Sequence, residues 1–190
     1  ELLLRIEGHD DLVRNAVYSP DEKNILSSSA DNTIRIWDAA TGKELWRKSL
    51  YAYYTQYSPS GCKIVVASFK EILIIDTETK KTISILKGHE LRVNHTSFSA
   101  DEKYIVSASD DRTIRVWDIE TSIEILKIPI LYGSIDYVTF SHDSKYIYSN
   151  GSYGIRIWDF QPLQYLINKI REQLEDYPLT PEERKKYYLD

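Results

Sequence analysis

The chain has 190 residues, 42% of them hydrophobic, with 29 acidic against 24 basic side chains and a formal charge of −5. That length fits one domain able to bury a core, and the acidic balance argues against a nonspecific nucleic-acid binder, which needs excess Lys and Arg to neutralise phosphates. A single cysteine, Cys62, excludes an internal disulfide and a cysteine-built metal site, and no apolar run reaches the roughly 18 residues of a transmembrane helix, so a cytoplasmic protein that makes no membrane contact is expected.

Residues 2–6 are the first apolar strand candidate and run into Gly8-His9. A strand over 13–18 follows, then the turn Ser19-Pro20-Asp21-Glu22, a strand over 24–28, a turn at Asp31-Asn32, a strand over 33–37, a turn at Thr41-Gly42 and a strand over 43–49. Short apolar runs at this spacing, each bounded by Pro, Asp, Asn or Gly, predict antiparallel β-structure. The cycle recurs over 53–57, 62–67, 72–75 and 82–86, and again over 93–98, 104–108, 113–117 and 123–128. A last cycle gives 135–140, 146–149 and 155–158 and has no fourth strand. Beyond it, Leu163, Leu166, Ile167, Ile170 and Leu174 share one face of an amphipathic helix. Thr180-Pro181-Glu182-Glu183 then reads as a capping box that opens another. Residues 161–190 are thus expected to form a short C-terminal helical tail.

The segment SADNTIRIWD at 29–38 and its near copy SDDRTIRVWD at 109–118 share Ser, Asp, Thr, Ile, Arg, Trp and Asp in the same order. NGSYGIRIWD at 150–159 keeps the second half of the pattern, and ASFKEILIID at 67–76 keeps only the apolar rhythm and the final Asp. The closing residue therefore recurs at Asp38, Asp76, Asp118 and Asp159, a period of about 40 residues that matches one four-stranded unit per repeat.

Gly8-His9 and Gly88-His89 open two of these units, and Trp37-Asp38 and Trp117-Asp118 close them. On these motifs residues 1–160 resemble the WD-repeat β-propeller family. The ending LTPEERKKYYLD resembles the C-termini of its bacterial members, including those in which the propeller follows a signal-transducing nucleotide-binding ATPase. The resemblance implies an all-β fold of four-stranded antiparallel blades, about four of them here. It also implies a polar tetrad in the first and third blades, carried by position onto His9, Ser29, Asp31 and Trp37, and onto His89, Ser109, Asp111 and Trp117. The residue types suit a hydrogen-bond relay, because an indole N–H only donates, a carboxylate only accepts, and a hydroxyl or neutral imidazole does both.

A Ser, His and Asp in one cluster invite a hydrolase reading, yet the set occurs twice with a Trp attached and neither serine sits in a nucleophile elbow. The expectation is structural, with no catalytic residue. His95 and His142 stand apart from further ligands at metal spacing, and no metal or cofactor is expected. The second repeat has Ala67, Phe69 and Ile75 at the tetrad positions, and the fourth keeps Trp158 beside Asn150 and Ser152. Both are expected to be held by packing alone.

With the tetrads set aside, the register places Arg14, Tyr53, Asn94 and Asp136 at one level of the four first strands, with Arg92 and Asp110 close by. Tyr51 shares the side of Tyr53 by alternation, and Tyr57 falls on the core aromatic position also held by Tyr18, Phe98 and Phe140. Tyrosine joins rigid contact area to a polar tip, so these seven residues are the candidate partner-binding set on the propeller face; core or channel packing is the alternative for the tyrosines. The expected function is a noncatalytic protein–protein interaction scaffold or sensor, the C-terminal part of a larger protein with an upstream effector or nucleotide-binding ATPase domain. A propeller enzyme with an unrecognised channel site and a nucleic-acid-binding propeller are the alternatives. Open sheet edges invite pairing, and three completions of the ring are expected alternatives. Residues 2–6 close the fourth blade as a clasp, further blades belong to a longer chain, as the lack of any Met suggests, or two chains form one ring.

Overall fold

The computed structural model describes residues 2–152 and 154–161. The first sheet is the meander β1 (Val13–Tyr18), β2 (Asn24–Ser29), β3 (Thr33–Asp38) and β4 (Glu44–Ser49). The second is β5 (Tyr54–Tyr57), β6 (Lys63–Ala67), β7 (Glu71–Asp76) and β8 (Thr82–Lys87). The third is β9 (Val93–Phe98), β10 (Tyr104–Ser109), β11 (Thr113–Asp118) and β12 (Glu124–Pro129). The fourth has three strands, β13 (Tyr137–Phe140), β14 (Tyr146–Gly151) and β15 (Gly154–Asp159). The ten strand pairs with a described register are antiparallel, and no helix is present among the described residues.

The turns are built by the residues that punctuate the sequence. Between β1 and β2, the Ser19 hydroxyl donates to Asp21 at 2.6 Å and accepts from the Asn24 amide at 2.9 Å; Ser99 with Asp101 and Ser141 with Asp143 repeat the device. The Asp that closes each of the first three repeats is likewise a turn residue. Asp38, Asp76 and Asp118 each accept both the amide and the hydroxyl of a Thr three residues on, which fixes the hairpin into the outer strand.

Alternation along each strand then decides what the sheets bury. Ile64, Val66, Leu73 and Ile75 turn one face of the second sheet onto Leu26, Ile34 and Ile36 of the first. Val65, Ala67, Ile72 and Ile74 turn the other onto Val93, Phe98, Ile105 and Trp117 of the third. A sheet apolar on both faces is the second repeat's solution, each buried aliphatic contributing about 1.5–3 kcal/mol. The first strands run side by side, β1 against β5, β5 against β9 and β9 against β13, whereas the first and fourth sheets share no substantial contact among the described residues.

Two expectations change. Residues 2–6 join no sheet. Leu4 and Ile6 lie instead near Gly42, in the turn between β3 and β4 of the first sheet, so no clasp fills the fourth blade. Tyr18, expected in the core, is 61% exposed, whereas Tyr57, Phe98 and Phe140 are buried, because no sheet covers that side of β1. The helical tail over 161–190 lies, apart from Gln161, outside the described residues.

Candidate functional site

Two polar clusters hold the scaffold, one in the third sheet and one in the first. In the third sheet the Trp117 indole donates to the Ser107 hydroxyl at 2.9 Å, Ser107 lies 2.7 Å from His89 Nε2, and His89 Nδ1 lies 2.7 Å from Asp111. A carboxylate only accepts, so Nδ1 carries the proton, and Nε2 then accepts from the serine, giving Trp→Ser→His→Asp with every donor matched. The first sheet repeats this with Trp37, Ser27, His9 and Asp31 at 2.8, 2.7 and 2.8 Å.

The relay serine is therefore Ser27 or Ser107, which corrects the expectation of Ser29 and Ser109. Trp37 stands opposite Ile25 in the β2–β3 ladder, and its indole reaches the diagonal neighbour two residues along, which is Ser27. Ser29 lies a further two residues on, at the turn, where its hydroxyl donates to the Asp11 carbonyl and accepts the Asp31 amide; Ser109 does the same with Leu91 and Asp111.

Three residue types extend each cluster beyond the tetrad. Thr113 donates to Asp111 and accepts from Arg115 Nε, and the buried Arg115 also pairs with Glu124 at 2.7 Å; Thr33, Arg35 and Glu44 match them in the first sheet. Their signal stood in the repeat itself, whose shared Thr and Arg these are. Burial raises the Asp111 carboxyl, but hydrogen bonds from Thr113 and His89 outweigh it and hold it at about 2. The same balance keeps Asp31 well below the usual carboxylate range, and burial lowers the His89 imidazole despite Asp111. Gly88 is required by close approach, since a Cβ there would stand 2.7 Å from Arg115 Nη1 and 3.0 Å from the Trp117 ring.

Ser107, His89 and Asp111 thus have the order of a hydrolytic triad, and their surroundings remove that chemistry. Ser107 is fully buried, and an indole N–H occupies the lone pair that a nucleophile would present to substrate. In the second sheet Val66 and Ile75 stand where serine and tryptophan would, both buried. The fourth sheet was expected to rely on packing alone; it retains half a relay, Trp158 donating to Ser149 at 2.9 Å.

At the end of the sheets where the first strands begin, the seven candidate residues fall into three groups. Arg14 lies 5.5 Å from the Tyr51 ring centroid and 5.1 Å from that of Tyr53, and Arg92 lies over Tyr53 at 4.3 Å. Two guanidinium groups from different blades therefore share one tyrosine. Arg92, Asn94 and Asp110 form a second group: Arg92 Nε sits 3.0 Å from Asn94 Oδ1 and 3.1 Å from Asp110 Oδ2, and Asn94 Nδ2 donates to Asp110 and to the Ile135 carbonyl. Asn94 is buried and ties the third blade to the fourth. Asp136 stands apart and exposed, accepting from Ser134. Arg14 and Asn94 occupy the same place in their strands, the extra residue of a β-bulge, and such bulges re-aim a side chain out of the ladder.

His95, set aside in the sequence as isolated, links three blades. Its ring lies between Tyr54 and Tyr137, 4.0 Å from each centroid, and Nδ1 donates to the Val138 carbonyl at 2.9 Å. Burial pushes its pKa down to about 4 against that hydrogen bond. Among the described residues no group of three or more His, Cys, Asp or Glu side chains is placed to hold a metal ion, and no helix is long and apolar enough to cross a membrane.

The sequence pattern of the WD domain, G-beta repeat family matches residues 1–38 and 80–118, the two stretches that carry complete relays. The chain is 31% identical to the regulator of rDNA transcription protein 13 of Saccharomyces cerevisiae over 79% of this chain and 69% of that protein. It is 28% identical to the transcription initiation factor TFIID subunit 5 of Caenorhabditis elegans over 90% of this chain, but spans 27% of that relative's length. Among solved structures, that of U3-55K superposes with a TM-score of 0.76 at 19% identity, over 82% of this chain and 51% of that one. These relatives include a yeast and an animal protein, and they support the repeat family rather than a bacterial type.

Proposed function

This chain belongs to the WD-repeat family, and on that premise we propose that it is a noncatalytic protein–protein interaction scaffold or sensor whose working surface lies where β1, β5, β9 and β13 begin. The observation that carries this reading is the convergence of Arg14, Tyr51, Tyr53 and Arg92 from three blades on that end. Rigid aromatic and arginine groups are the residue types that dominate binding energy at interfaces, and a rigid scaffold presents them without an ordering cost. The serine, histidine and aspartate groups of the two relays are engaged with one another inside the blades, which favours binding over turnover. The acidic balance of the chain favours a protein partner over nucleic acid.

The same reading takes in a cytoplasmic location, which suits an unpaired exposed Cys62, and an upstream effector or nucleotide-binding ATPase domain in a longer protein. It also takes in completion of the ring by further blades or a second copy. Leu12, Val13 and Tyr18 on the first blade and Ile155 and Ile157 on the last are exposed apolar side chains, and blades added at either end would cover them. Replacing Tyr53→Ala and Arg92→Ala together, with the melting temperature unchanged, is expected to weaken capture of the protein partner; undiminished capture contradicts the assignment.

A further inference from the structure

We infer that Arg14 is the receptor for a carboxylate, and that the partner segment docking on this face is an acidic peptide whose Asp or Glu side chain pairs with it. The inference rests on the partner-binding reading above and names the chemistry of the partner. Five arginines among the described residues are buried or half-buried: Arg14, Arg35, Arg92, Arg115 and Arg156. Arg35, Arg92 and Arg115 each pair with a carboxylate, and Arg156 donates to the Tyr132 carbonyl. Arg14 has none of these. Its contacts are the faces of Tyr51 and Tyr53, and its buried Nε has no hydrogen-bond partner.

A cation partly withdrawn from water with no acceptor is costly, and a carboxylate placed end-on against Nη1 and Nη2 offsets that cost through a charge-assisted, bidentate hydrogen bond. The geometry holds the guanidinium ready. Arg14 is the extra residue of the bulge in β1, two tyrosine rings restrain its plane, and the planar fork matches a carboxylate in a way that an ammonium does not. Charge along the stack is asymmetric. Arg92, at 4.3 Å on the shared Tyr53 ring, is neutralised by Asp110, so the uncompensated positive charge is at Arg14. The flanking rings supply apolar area beside it, which fits a peptide in which acidic and apolar side chains alternate.

The test is a fluorescence-anisotropy titration of the full chain with a fluorescein-labelled peptide carrying Glu at alternate positions among alanines, against the same peptide with Gln for Glu. The Glu peptide is expected to bind about tenfold or more tightly than the Gln peptide. Arg14→Gln should erase that preference and Arg14→Lys should restore part of it, with the melting temperature as a control for folding. Equal affinity for the two peptides, or a preference that survives in Arg14→Gln, overturns the proposal. So does displacement of the Glu peptide by inorganic phosphate at concentrations where acetate has no effect, which would assign the site to phosphate. A dimer of the chain alone that Arg14→Gln dissolves in sedimentation would place the carboxylate on a second copy, and likewise overturns it. If the Tyr53→Ala, Arg92→Ala pair still abolishes partner capture while the Glu peptide shows no preference, the binding face stands and only the carboxylate chemistry fails.

Discussion

At the scale of single residues, two serines separated by one position have different work. Ser107 receives the Trp117 indole and donates to His89, whereas Ser109 holds a turn through the Leu91 carbonyl and the Asp111 amide. Ser107→Ala leaves two buried groups unsatisfied, at about 1–3 kcal/mol each. Ser109→Ala removes a hydroxyl beside a backbone carbonyl, at about 1 kcal/mol. Denaturant unfolding should therefore find Ser107→Ala the more destabilising of the two, and the reverse order would contradict the relay. Both serines satisfy the alternation of β10, so spacing alone selects neither. The choice is made by the lean of an indole along the neighbouring strand, which exists only once β10 and β11 pair. The His, Asp and Trp members were legible because the Gly-His and Trp-Asp motifs and the repeated Asp carry the family resemblance that implies them. Arg35 and Arg115 were visible as repeated letters, and their role appears only with Glu44 and Glu124 brought across a hairpin.

At the scale of elements, the blades were legible because Asp, Gly, Pro and Ser mark their turns chemically. Residues 2–6 have a strand's composition without a strand's partner, and composition cannot supply an edge to pair with. The blades are joined through their first strands, where His95 of β9 lies between Tyr54 of β5 and Tyr137 of β13. Burial holds this histidine neutral, with a pKa of about 4 against about 6.5 in an unfolded chain. Between these values the unfolded state binds a proton that the folded state refuses, so stability falls as the pH is lowered through this window. A displacement of this size corresponds to about 3 kcal/mol. The folded carboxyl of Asp111, at about 2, adds a further loss below roughly pH 4. Urea titrations from pH 7 to pH 4 should show the decline, and His95→Phe should make it shallower, leaving the part of the same sign that the buried His89 contributes. A slope unchanged by His95→Phe would mean the ring is not buried as described.

At the scale of the whole molecule, rigidity and recognition belong to different residues. The relay hydroxyl, imidazole and carboxylate groups are engaged inside the blades, while Arg14, Tyr51, Tyr53 and Arg92 meet at the end where the first strands begin. Register in the sequence placed Arg14 and Tyr53 at one level with Asn94 and Asp136, set Arg92 close by, and alternation added Tyr51. The sequence could not show that two arginines share Tyr53, or that Asn94 is buried as a tie between blades, because both depend on how neighbouring sheets pack. Site-directed photocrosslinking distinguishes the two ends of the sheets as the place where a partner docks. With benzoylphenylalanine placed in turn at positions 51 and 136 on the proposed face, and at 22 and 103 in the turns at the opposite end, adducts to a protein partner are expected from 51 and 136 only. Adducts confined to 22 and 103 would contradict the account.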